Sequence, residues 1–384
     1  MKSFKDYNLP DNLLHSLEKV NYHSPTEIQH KSIDIILSGS DLLASSKTGS
    51  GKTAAFIIPL IAKIAQYPKN NFALIIAPTR ELVTQIFDTA KLITSKNIRC
   101  CPIVGGVDMR KQISNLRRRP NIIIATPGRI RDHISRETID IAKINHFILD
   151  EFDRMLDMGF KDDIKHIYHK LSDKRQVIMF SATQSKEIVT LAQNYLSEDY
   201  KTVNIINKKE NNKNITHDFC YLASDQKFDN LIKEIDKKTG STLIFVNTKR
   251  YADKLQELLQ ENGYKSHAIH GDLRQHKRDR IIKKFRSKYY QILIATDVVA
   301  RGIDIDHIEN VINYDFPRTI EDYIHRVGRT GRMHAKGNAL SFISNIDKIV
   351  YNKVISELKL ENKITFPTRK YKKKKVFRKK RTRS

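Results

Sequence analysis

Residues 46–53 read SKTGSGKT. The glycines let backbone N–H groups crowd around an anion, and the apolar run that follows, TAAFIIPLIAKIAQ, has the pattern of a buried helix. A helix that begins at a glycine loop turns its N-terminal amides and its dipole toward negative charge. Lys52 would reach terminal phosphates and Thr53 would hold Mg2+. The full G-x-x-x-x-G-K-[ST] pattern is broken where Ser46 replaces the first glycine. With a strand-like lead-in, Ser46, Lys47, Thr48, Gly49, Ser50, Gly51, Lys52 and Thr53 read as a nucleotide cradle. The plainer alternative is a polar glycine loop ahead of a helix.

Outward from this loop, short β-branched runs alternate with longer amphipathic segments. Strands are expected in FALIIAP (72–78), NIIIAT (121–126), HFILDE (146–151) and QVIMFSAT (176–183). A second series comprises STLIFVNT (241–248), QILIATDV (291–298), NVINYDF (310–316) and NALSFIS (338–344). Continuous apolar strands separated by helices predict α/β domains with mainly parallel sheets. NKKENNKN (207–214) is polar and aperiodic, and reads as a linker between domains at 1–206 and 215–362.

The 384 residues include 69 Lys or Arg against 43 Asp or Glu, a net charge of +26. That imbalance points to a polyanionic partner, nucleic acid before membrane. Residues 363–384 form a basic tail, and 369–384 alone hold 11 Lys or Arg and no acid. Such a run is expected to be disordered and to serve as an auxiliary nucleic-acid contact. The longest apolar run, AAFIIPLIA, is too short to span a membrane. The opening MKSFKDYNLP has no apolar signal core, and Cys100, Cys101 and Cys220 have neither metal-ligand nor disulfide-framework spacing. A reducing, cytoplasmic compartment is expected.

Seven further stretches carry chemistry. ILDEFDR (148–154) aims Asp150 and Glu151 out of a strand end. Beside a phosphate loop, Asp150 would hold Mg2+ through water, and Glu151 would orient and deprotonate the attacking water. SPTEIQ (24–29) has capping-box spacing between Thr26 and Gln29. RVGRTGR (326–332) suits either a solvated basic loop or an arginine finger whose reach depends on domain closure. PTREL (78–82), the glycine pair 105–106, TPGR (126–129) and ATDVVARGIDI (295–305) follow strands, where parallel sheets bind ligands.

Taken in order, these stretches resemble the motifs of the DEAD-box ATP-dependent RNA helicases. VNYHSPTEIQ resembles the family's Q motif, SKTGSGKT motif I, PTREL motif Ia and TPGR motif Ib. DEFD resembles motif II with Phe152 in place of alanine, and SAT (181–183) is similar to motif III. LIFVNT resembles motif IV, HGDLRQHKR holds the Q-x-x-R pair Gln275 and Arg278, ATDVVARGIDI resembles motif V and HRVGRTGR motif VI.

The resemblance implies two RecA-like domains closing over ATP and a single RNA strand. It implies that Tyr22 stacks on adenine, Gln29 reads its edge and Asp304 contacts the ribose. Arg329 and Arg332 would approach the γ-phosphate. Ser181 and Thr183 would link Asp153 to closure, with His325 in the same coupling. The RNA backbone would lie on Pro78, Thr79, Arg80, Gly106, Thr126, Gly128, Arg129 and Thr296. Local, non-processive strand separation follows by the same resemblance. The compact form is similar to bacterial members, whose settings include ribosome assembly, RNA decay and cold adaptation, with protein partners drawn from the first two.

Two other functions remain open to the sequence: an ATP-gated RNA clamp with weak turnover, and a DNA-directed motor of the same superfamily. Glu151 favours turnover, and the Q motif favours RNA. Asn21 stands where the Q motif usually has glycine. Phe152 has none of the roles of its acidic neighbours and is expected to point into the core.

Overall fold

A computed structural model describes residues 3–46, 49–66, 72–95, 97–205, 214–297, 308–331, 336–362, 364 and 366. Lys47, Thr48, Asp304, Arg332, positions 207–213 of the expected linker and the basic stretch 369–384 lie outside them.

The first domain is built on seven parallel strands in the order β3-β4-β2-β5-β6-β1-β7. These are β1 (Leu42–Ser45), β2 (Ala73–Ile76), β3 (Cys100–Ile103), β4 (Ile122–Ala125), β5 (His146–Leu149), β6 (Gln176–Ser181) and β7 (Lys201–Asn204). The second domain carries six, in the order β10-β11-β9-β12-β13-β8. They are β8 (Ile215–Tyr221), β9 (Ser241–Phe245), β10 (Ser266–Ile269), β11 (Ile292–Ala295), β12 (Ile308–Asn313) and β13 (Gly337–Ile343). Every pairing is parallel.

Alternate residues of each central strand feed opposite cores. Leu42 and Ala44 join one cluster while Leu43 joins the other, and Ile75 faces away from Leu74 and Ile76. In the second sheet Ile244 and its neighbours Leu243 and Phe245 divide in the same way. Covering both faces with helices explains why these strands are apolar throughout, each buried Leu or Ile contributing about 1.5–3 kcal/mol.

All eight expected strands form, generally shorter at their ends. The strands absent from that expectation include β3, β7, β8 and β10, the four edges of the two sheets. Edge strands bury less: β7 reads KTVN with only Val203 buried, and β8 alternates half-buried and exposed positions at its start. An apolar run is therefore not required there, and the local signal is lost.

Candidate functional site

The phosphate loop leaves the carboxyl end of β1 and enters the helix Lys52–Gln66. Gly49 and Gly51 hold φ of 76° and 93°, a left-handed backbone that side-chain-bearing residues seldom adopt. Lys52 is buried, and its Nζ donates to the Ser46 carbonyl at 2.9 Å. Ser46 and Ser50 hydroxyls pair at 2.7 Å, and half-buried Thr53 lies in the first helical turn.

Gln29 combines the two roles that its sequence context left open. Its Oε1 accepts from the Thr26 N–H at 2.9 Å, completing the capping box of the helix Glu27–Leu37. Its Nε2 donates to the Gly51 carbonyl at 3.1 Å. A Cβ on Gly51 would collide with that amide, so the loop glycine is required on steric grounds as well. Half-buried Tyr22 follows Asn21, whose φ of 60° accounts for the usual glycine.

At the end of β5, Asp150 is 2% exposed. Burial pushes its carboxyl up to about 7, against the opposing pull of Lys52. Glu151 caps the helix Phe152–Asp157 in a left-handed conformation, φ 52° and ψ 51°. For a non-glycine residue this stores about 1–3 kcal/mol, a strain often found at functional positions. Asp153 Oδ2 accepts from the Ala182 N–H at 3.1 Å, the Thr183 N–H at 2.9 Å and Thr183 Oγ1 at 3.0 Å. Buried Ser181 supplies its Oγ to the same Thr183 N–H at 3.3 Å. Phe152 is fully buried in the core, edge-on to Tyr195 at 6.2 Å.

From the second domain, Arg326 is wholly buried and clamps both oxygens of Asp297 at 2.6 and 2.8 Å. Arg329, His325 and Thr296 are also buried, and Arg329 Nε donates to the His325 carbonyl at 3.3 Å.

A separate groove of about 450 Å3 runs between the domains. Pro78, Thr79, Arg80, Thr126, Gly128 and Arg129 line one side, and Gly271 and Arg278 the other. Thr79 caps the helix Arg80–Ile93. The Arg80 guanidinium lies where a Cβ on Gly106 would sit, and Gly106 has φ of 77°. Arg80 Nη1 also donates to Gln275 Oε1 across the cleft at 3.4 Å, and Arg129 Nη2 donates to the Val107 carbonyl at 2.9 Å. Gly106 and Thr296 are not among the lining residues. A larger recess of about 800 Å3, at Arg99, Cys100 and Arg118, contains none of the expected site residues.

Sequence reading did not assign the cross-domain contacts of Glu81, Arg154, Gln275 and Arg278. For the last two a signal existed, since Q-x-x-R spacing puts both side chains on one helix face. Glu81 and Arg154 carried no such signal.

Residues 26–191 match the DEAD/DEAH box helicase family, and 226–334 match the helicase conserved C-terminal domain. DEAD-box ATP-dependent RNA helicase 30 of Arabidopsis thaliana is 37% identical over 96% of this chain and 64% of its own length. DEAD-box ATP-dependent RNA helicase CshA of Bacillus subtilis is 39% identical over 90% of this chain and 70% of its own. The chain thus spans about two thirds of the length of these relatives. S. cerevisiae Dbp5 bound to RNA and ADP BeF3 superposes with a TM-score of 0.86 at 30% identity, covering 95% of both chains.

Proposed function

This chain belongs to the DEAD-box ATP-dependent RNA helicases, and on that footing we propose that it couples ATP binding and hydrolysis to domain closure on RNA. The observation that carries the reading is that one closed arrangement joins the domains at both sites. Arg80 meets Gln275 at the groove, and Arg154 reaches Asp297 beside the strand end of Asp150 and Glu151.

ATP would lie on the loop Ser46–Gly51 with Lys52 and Thr53 against its phosphates, Tyr22 and Gln29 toward the base and Asp304 toward the ribose. The buried Asp150 carboxyl, pushed up to about 7 by burial, fits a site that gains a cation. Mg2+, when bound near Thr53 and Asp150, would screen the phosphate charge. Glu151 takes a proton from water as its oxygen bonds to the γ-phosphorus. The bond to the bridging oxygen breaks, leaving ADP and phosphate. Arg329 and Arg332 would neutralise charge developing on the transferred group.

The groove residues, with Gly106 and Thr296, would hold the RNA backbone, making recognition independent of sequence. A strand bent to fit the cleft loses its partner, since unstacking costs on the order of a few kcal/mol per step. The Asp153 link to Thr183 would pass the nucleotide state to the second domain, with His325 on the opposite side.

The basic stretch 369–384 is proposed as an auxiliary RNA contact. Among the described residues no helix is long and apolar enough to cross a membrane. The cysteines are free, and burial pushes the Cys100 and Cys101 thiols up to about 12 and 11, which keeps them protonated and poor nucleophiles; a cytoplasmic location is proposed.

The test is ATP hydrolysis with no nucleic acid, with RNA and with DNA, over a salt series. Stimulation by RNA well above that by DNA is expected. Equal stimulation would make the protein a DNA-competent motor. Nucleotide-dependent RNA binding without turnover would make it a clamp.

A further inference from the structure

Arg154 follows Glu151 by one helical turn, and its side chain is only 2% exposed despite a permanent charge. Its Nε lies 3.9 Å from Glu151 Oε2. On its other side Nη2 donates to the backbone carbonyl of Asp297, in the second domain, at 3.4 Å. Its own N–H donates to Asp153 Oδ1 at 3.0 Å, fixing the base of the side chain on the residue that binds Ala182 and Thr183. The guanidinium thus stands between the proposed base and the other domain, while the backbone of the same residue is tied to the motif between them.

Burying this cation costs several kcal/mol before its contacts are counted, and an apolar side chain of similar volume would fill the space at lower cost. The Asp297 carbonyl is itself held firmly, because Arg326 grips the carboxylate of the same residue with two hydrogen bonds. The Asp297 carbonyl is therefore within reach of Arg154 only when the domains are closed, and Arg326 fixes the residue that carries it. Glu151 needs such an anchor. Its backbone is strained, and Oε2 accepts no hydrogen bond from any described residue.

We infer that Arg154 is a positioning residue that reports domain closure to Glu151. With the domains apart, the guanidinium lacks the Asp297 carbonyl and leaves the Glu151 carboxylate loosely placed. On closure that carbonyl pins one arm of the fork, and the other side sets the carboxylate toward the attacking water. A planar guanidinium presents donors in fixed directions from opposite edges and spans the gap between its two partners; the compact ammonium of lysine does not span it. RNA would accelerate hydrolysis partly through this contact. The inference rests on Glu151 acting as the base.

The test uses the full chain with Arg154→Ala and Arg154→Lys beside wild type. ATPase rates are measured at saturating RNA and without RNA, together with the KM for ATP. A misplacement of this size lowers a rate by about 10–100-fold. We expect that loss in kcat at saturating RNA for both variants, with the KM for ATP held within about threefold. Millimolar guanidinium should restore several-fold activity to Arg154→Ala, and urea at the same concentration should not. A merely structural arginine would lower thermal stability without rescue by guanidinium. Full activity in Arg154→Lys, or RNA-saturated kcat within about twofold of wild type in Arg154→Ala, would overturn the inference. If wild type itself shows no RNA stimulation, the proposed function falls and takes this contact's role with it.

Discussion

Arg278 Nη2 in the second domain lies 2.5 Å from Glu81 Oε1 in the first, with side-chain exposures of 8% and 5%. Both residues of the pair line the groove with Arg80, which reaches Gln275. In the separated domains both groups would regain water, so its energy belongs to closure rather than to folding.

Breaking a buried ion pair by removing one partner costs about 3–5 kcal/mol when the other charge stays buried. Re-solvation on opening reduces that, so Arg278→Ala or Glu81→Gln should weaken RNA binding with a non-hydrolysable ATP analogue by about 10–100-fold. Thermal unfolding of the first domain should hardly change. Fluorescence anisotropy of labelled RNA reads the first quantity and calorimetry the second.

Phe152 fills space against Tyr195 behind Asp153. Phe152→Ala should destabilise the first domain by about 3–5 kcal/mol through the cavity it leaves. It should also loosen Asp153 from Thr183, reducing strand separation per ATP hydrolysed more than ATP affinity. Finding stability reduced but the ratio of unwinding to hydrolysis unchanged would limit Phe152 to packing.

The Asp150 carboxyl is raised from its ordinary 3.8 to about 7, chiefly by burial. The native state then holds this proton up to about pH 7, whereas the unfolded chain releases it near pH 4. Stability from this group is present at low pH and is lost as pH rises between those values. Asp150→Asn lacks that loss, so its melting temperature should exceed wild type by a margin that grows from about pH 4 to about pH 7 and levels off above it. Mg2+ binding to the wild-type protein should tighten over the same interval, because its ligand must be ionised.

Deleting 367–384 should lower RNA affinity and flatten its salt dependence while sparing RNA-independent ATPase. With 11 basic residues between 369 and 384, the change in log–log slope has an upper bound of about 8. Filter binding across a salt series measures it, and an unaltered slope would remove the tail from the RNA interface.

The central strands and the chemical inventory were legible in the sequence because their causes are local. A strand buried on both faces must be apolar at every position, and a phosphate loop must carry glycines beside a lysine. The Thr26 to Gln29 spacing announced a helix cap correctly. That the same amide also holds Gly51 depends on a residue 22 positions away.

By itself, the sequence determined two parallel α/β domains, a nucleotide loop, a pair of strand-end carboxylates and a basic chain suited to RNA. Tertiary structure alone decided the sheet edges, the left-handed turn of Glu151, the raised carboxyl of Asp150 and the cross-domain partners. The physical reason is separation. Arg80 and Gln275 stand 195 positions apart, and Arg154 and Asp297 stand 143 apart. No local pattern encodes which side chains meet when two folded surfaces close, nor how far that closure removes a charge from water.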